Sequence, residues 1–197
     1  MTPGIICIET EWEHTIRENR RHIYTKPLLE FVEKMRGCKV IYRRVATWNE
    51  LAYYLNRFNL REYDDYRIFY FSFHGNDKGI FLEGERGEDS LVTLSDLITC
   101  SSGIFTDRVV HFSSCETFDI SRYRLDKFKE ESGALLLSGY STSVDESLSA
   151  INDIAYFDQL LRLNYSKTEL DISKREIQTV MKKYFGELKD HLGFVIV

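Results

Sequence analysis

Proline is scarce, at two residues in 197, and the chain has no internal repeat and no low-complexity tract. No run of about twenty apolar residues occurs, so no segment reads as a bilayer-spanning helix. Basic residues are in deficit: the formal net charge is −5, against a partner rich in phosphate, because nucleic acid or a membrane surface calls for a basic face. Cysteine is limited to Cys7, Cys38, Cys100 and Cys115, none in CxxC spacing. That spacing argues against a zinc or dithiol motif and fits a reduced compartment. The start, Met1-Thr2-Pro3-Gly4-Ile5-Ile6-Cys7-Ile8-Glu9, lacks a basic region and a long apolar core, so it does not read as a signal peptide. These absences predict a cytoplasmic protein with no membrane span and no metal.

What is present is an ordinary globular composition. Hydrophobic residues make up 43% and charged residues 29%, enough apolar chain to bury one core, and a single domain over residues 1–197 is expected. Two short apolar runs end in reactive residues: Arg67-Ile-Phe-Tyr-Phe-Ser-Phe-His74-Gly75 and Arg108-Val-Val-His-Phe-Ser-Ser-Cys115. Both read as buried strands. If they are parallel neighbours, their C-terminal ends bring an imidazole and a thiol to one edge of a sheet. Thiolate is the nucleophilic form of cysteine, and an adjacent imidazole can take its proton. Gly75, lacking Cβ, allows a carbonyl to approach the backbone, where its N–H and that of Cys115 suit an oxyanion hole.

Strand-length apolar runs alternate with segments of helical period, the pattern of a mostly parallel sheet covered on both faces. Strands are predicted at Gly4–Glu9, Cys38–Arg43, Tyr66–Phe73, Arg108–Ser113, Ala134–Ser138 and Gly193–Val197. Helices are predicted from Thr25 to Gly37, over Thr47–Phe58 behind a Thr47-x-x-Glu50 capping box, and over Thr93–Cys100 and Ser121–Ser132. Two more run from about Ser143 to Leu163 and from about Ile172 to His191. A hairpin over Gly79–Glu83 carries a polar tip at Gly84–Ser90 that could gate a site or be cut.

In open sheets of this kind ligands sit beyond the C-terminal ends of the strands, where strand order reverses. That edge collects Glu9, Glu11 and Trp12, then Arg43 and Arg44, then His74, Cys115 and Tyr140. Alternation places Ser113 on the face of Cys115. His111 is the competing imidazole, but four strand steps span about 13 Å, so it reads as a packed or hydrogen-bonded strand residue. His14 and His22 lie in polar surroundings, and His191 sits near a helix end. Cys7 and Cys38 read as core side chains and Cys100 as a helix end.

With the two strands and their order in view, the chain resembles the caspase-like cysteine peptidases: caspases, metacaspases, separase and the bacterial CHAT proteases. The resemblance lies in Phe73-His74-Gly75, in Ser113-Ser114-Cys115, and in a CHAT-like block running from Gly133-Ala134 through Ser138-Gly139-Tyr140 and Val144-Asp145 to Ala155-Tyr156-Phe157 and Leu160-Leu161. It extends from the first strand to about Leu163. Caspases carry Gln-Ala before the nucleophile where Ser113-Ser114 stand here, which bears on substrate preference. The resemblance implies a three-layer α/β/α sandwich, a His74/Cys115 endopeptidase with no cofactor, and a pocket drawn from Glu9, Glu11, Trp12, Arg43, Arg44, Ser113, Tyr140 and Asp145. Because residues at the end of the first strand line that pocket in relatives, Glu9 and Glu11 imply a basic residue before the scissile bond.

Small bacterial proteins of this kind resemble antiphage-defence effectors, some of which respond to a nucleotide signal from a TIR-domain partner. That implies a protein substrate and activation by a cyclic nucleotide. A second function class stays open: a nucleotide-signal receptor or pseudo-peptidase, in which Arg43 and Arg44 hold phosphate while Trp12 and Tyr140 stack a base. No GxGxxG or Walker pattern supports a conventional nucleotide fold.

Overall fold

Gly4–Thr10 forms β1, and every residue in it is buried, as expected of a strand covered on both faces. It is the second strand of a six-stranded sheet. A computed structural model describes residues 2–10, 25–101, 103–163 and 167–197. Five strands are parallel: β1, β2 (Val40–Val45), β3 (Tyr66–Ser72), β7 (Val109–Ser113) and β8 (Leu136–Tyr140). The sixth, β9 (Phe194–Ile196), runs antiparallel to β8. Strand order is β2-β1-β3-β7-β8-β9, so the chain reverses direction across the sheet between β1 and β3.

Helices cover both faces. On one side α2 (Trp48–Phe58), α3 (Leu94–Ser101) and α4 (Arg122–Ser132) bury Leu51, Leu55, Phe58, Leu97, Leu125 and Phe128 against Ile6, Ile8, Phe69, Phe71 and Phe112. On the other, α1 (Thr25–Arg36), α5 (Glu146–Leu160) and α6 (Lys167–His191) pack Leu29, Val32, Tyr156, Phe157 and Met181 against Ile5, Cys7, Ile68 and Val109. The fold is therefore a three-layer α/β/α arrangement with a mostly parallel central sheet. Local signals act where they stand: Thr47 and Glu50 form the reciprocal capping box of α2, and Gly133 ends α4 with φ 72°. No helix among the described residues is long and apolar enough to cross a membrane.

Three of the differences from the sequence reading bear on the site. The second strand runs Val40–Val45 rather than Cys38–Arg43, and its extension past Arg43 puts Arg44 inside the ladder opposite Glu9. The strand expected at Ala134–Ser138 runs Leu136–Tyr140, because β9 continues its ladder by pairing Gly139 with Val195 and Tyr140 with Phe194. Tyr140 is thereby drawn into the sheet. The hairpin gains a third strand: β4 (His74–Asn76), β5 (Gly79–Phe81) and β6 (Leu91–Thr93) form a small antiparallel sheet, with His74 opposite Phe81. The polar Gly84–Ser90 stretch ends in a 3₁₀ turn over Gly87–Ser90.

Candidate active site

β3 and β7 lie side by side in parallel register, Ile68 opposite Val109 through Ser72 opposite Ser113. Equal registers bring both strands to the same edge, and each chain continues into its reactive residue. His74 and Cys115 line one cavity of about 170 Å³, with Glu9, Ser72 and Ser113 from the strand ends, Val144 just ahead of α5, and Glu146 and Ser149 from its first turns. The cavity sits at the β1/β3 reversal of strand order, where the C-terminal ends of neighbouring strands diverge.

Gly75 is required by close approach. A Cβ there would lie 2.4 Å from Thr117 Oγ1 and 2.9 Å from the Cys115 carbonyl oxygen, so the His74-Gly75 turn rests directly on the Cys115 segment. That segment is tightly built: Ser114 Oγ and Thr117 Oγ1 are 2.7 Å apart, and Glu116 adopts φ 56°. Val144 N–H donates to Cys115 Sγ at 3.4 Å, just ahead of α5, whose N-cap Asp145 accepts from the Ser147 and Leu148 amides. One backbone donor thus points at the sulfur. His74 is about half exposed, and its Nε2 lies 3.6 Å from Glu83 Oε1.

Glu9 is fully buried on β1 and accepts a hydrogen bond from the Tyr42 hydroxyl. Burial and this carboxylate push the Tyr42 phenol well up from its ordinary range. The second carboxylate oxygen, Oε1, has no hydrogen-bond partner among the described residues. A buried acceptor without a partner is costly.

Beneath the cavity lies a closed polar network that the sequence reading did not find. Asp153 of α5 accepts from His111 Nε2 at 2.8 Å and from the Tyr140 hydroxyl on Oδ1, and from the Tyr70 and Ser113 hydroxyls, each at 2.8 Å, on Oδ2. His111 Nδ1 is 3.0 Å from Ser138 Oγ, and its ring stacks on Tyr70 at 5.5 Å. Burial pushes the Tyr70 and Tyr140 phenols well up, with Asp153 adding to it. The available signal was the buried stripe of α5, Ser149, Asn152, Asp153, Tyr156, Phe157 and Leu160, in which an acid occupies an apolar position.

The remaining candidates fall as follows. Arg43 is exposed and lies 5.8 Å over the Tyr54 ring on the α2 side, whereas Arg44 is on the opposite face of β2, so the two guanidinium groups do not converge. Tyr140 is fully buried with its hydroxyl on Asp153, which leaves no ring face for a ligand base. Asp145 is committed to capping α5. Glu11, Trp12, His14 and His22 lie outside the described residues. Burial raises the thiols of Cys7, Cys38 and Cys100, which disfavours their reactive thiolate forms. Among the described residues no group of histidine, cysteine and acidic side chains could hold a metal.

The structure is a mixed α/β domain in which His74 and Cys115 line one cavity at the C-terminal edge of the sheet. The chain belongs to the family of unknown function DUF6642, which it matches over residues 3–196. No curated protein matches the sequence. Among solved structures, the crystal structure of the Drosophila initiator caspase Dronc is similar, with a TM-score of 0.44 and 12% identity, covering 80% of this chain and 64% of that one. The chain therefore spans less than two thirds of that neighbour's length. The site, rather than this likeness, carries the functional reading.

Proposed function

We propose that the protein is a cysteine endopeptidase of caspase-like type, with Cys115 as nucleophile and His74 as proton carrier. The observation that carries this is the placement of His74 and Cys115 at the same ends of adjacent parallel strands, opening on one cavity. In the acylation step His74 takes the thiol proton, the sulfur bonds to the scissile carbonyl carbon, and the Gly75 and Cys115 amides receive the oxyanion. Collapse of that intermediate breaks the C–N bond as His74 gives its proton to the leaving amine. Water, deprotonated by His74, then attacks the thioester and releases the carboxylate with Cys115 restored.

The cavity favours a basic residue before the scissile bond. Glu9 and Glu146 bring two acids to the cavity lining, and Ser113, also in the lining, has its hydroxyl hydrogen committed to Asp153. A lining of acceptors takes a donor-rich cation.

The test is cleavage of paired fluorogenic peptides carrying arginine, lysine or aspartate at that position by wild type, Cys115→Ala and His74→Ala. Wild type is expected to cut the arginine and lysine peptides, both variants to lose cleavage while melting as wild type does, and Glu9→Gln to lose the basic preference. Cleavage by Cys115→Ala at the wild-type rate would place the nucleophile elsewhere.

A further inference from the structure

Glu83 stands on the His74 side of the small sheet. His74 pairs with Phe81, and one strand period beyond Phe81 is Glu83, its carboxylate 3.6 Å from His74 Nε2 and its side chain 18% exposed. The backbone around it is pinned residue by residue. Leu82 N–H donates to the Ser90 carbonyl at 2.8 Å, Glu83 N–H to Thr10 Oγ1 at 3.2 Å, and Gly84 N–H to the Ala46 carbonyl at 2.9 Å. Glu85 adds a side-chain acceptor for Trp48 N–H at 3.3 Å. A Cβ on Gly84 would lie 2.6 Å from the Ala46 oxygen, so the chain passes there only without a side chain. Thr10 closes β1 and Ala46 follows β2. The segment is therefore fastened to the C-terminal ends of β1 and β2, and it delivers one carboxylate to the imidazole. A solvated surface ion pair needs no such anchoring.

We propose that Glu83 is a positioning residue for His74, orienting the imidazole and holding the positive charge that the ring gains when it takes the Cys115 proton; this rests on the cysteine-peptidase reading. With Nε2 turned to Glu83, Nδ1 exchanges the proton with sulfur. The carboxylate orients the ring and takes no proton in the transfer, the role of the orienting acid in a nucleophile–imidazole–carboxylate set. The separation suits an unliganded site, in which such contacts are long and tighten on substrate binding.

The experiment measures alkylation of Cys115 by iodoacetamide, followed on its own peptide by mass spectrometry from about pH 5.5 to 9, in the full chain as wild type, His74→Ala, Glu83→Gln, Glu83→Ala and Glu83→Asp. This readout needs no substrate. Glu83→Gln is expected to slow alkylation near neutral pH roughly tenfold and displace the pH profile without changing the melting temperature, with Glu83→Asp recovering part of the rate. On an arginine peptide, kcat should fall about 10- to 100-fold at unchanged KM. Wild-type alkylation and kcat in both Glu83→Gln and Glu83→Ala would overturn the proposal. If His74→Ala alkylates as wild type does, the His74–Cys115 pairing fails instead, and the peptidase reading falls with it.

Discussion

Replacing Asp153 with alanine withdraws one buried acceptor from four donors at once. His111 Nε2 and the Tyr70, Tyr140 and Ser113 hydroxyls all converge on its two oxygens, and both Asp153 and His111 are fully buried. A buried donor left unserved costs about 1–3 kcal/mol, and removing one member of a buried pair about 3–5 kcal/mol. Tyr140 has a second acceptor in the Ser149 carbonyl at 3.3 Å, and Ser113 borders the cavity, so neither stays fully orphaned. The remaining loss falls on His111 and Tyr70, and about 4 kcal/mol is expected. For a chain of this length that corresponds to a melting temperature lower by roughly 8–16 °C. Urea unfolding and calorimetry measure both quantities. Asp153→Asn, which keeps the shape and one oxygen, should lose about half as much. A loss below about 1 kcal/mol for Asp153→Ala would refute the view that this carboxylate organises the network.

Gly75→Ala should cost about 1–3 kcal/mol and abolish cleavage, because its methyl group would meet Thr117 Oγ1 and the Cys115 carbonyl; a variant as stable and active as wild type contradicts that packing. Alkaline stability should fall steeply. Burial raises the Tyr70, Tyr140 and Tyr156 phenols in the fold, so the folded state keeps protons that unfolded tyrosines release near pH 10. Their contribution is complete below about pH 10 and is lost above it, by up to about 1.4 kcal/mol per pH unit for each tyrosine. Urea titrations at pH 8, 10 and 11 check this, and a flat profile would be inconsistent with it. Thr47→Ala should lower stability by about 0.5–2 kcal/mol through the α2 capping box, and an unchanged urea midpoint would count against that assignment.

Much of the frame was legible because it is written locally. Strand-length apolar runs located β1, β3 and β7, period-3.6 apolar spacing located the helices that cover them, and Thr47-x-x-Glu50 and Gly133 marked helix ends where they stand. Boundaries set by a distant partner were not legible. Tyr140 reads as a residue beyond a strand until β9, from the far end of the chain, extends the ladder and buries it.

The sequence alone placed a histidine and a cysteine at the ends of two apolar strands and an acid at the end of a third, since strand periodicity and turn residues are short-range properties. Tertiary structure alone decided what those residues meet. Register between β1 and β2 set Glu9 opposite Arg44, while the reversal of strand order beside β1 put Glu9 in the lining of the cavity that holds His74 and Cys115. Helix α5, crossing beneath the sheet, carried Asp153 to His111, Ser113, Tyr70 and Tyr140. A loop pinned to Thr10 and Ala46 brought Glu83 to His74. Hydrogen bonds to a buried or half-buried carboxylate are made across the fold, so no local window of the chain contains both partners.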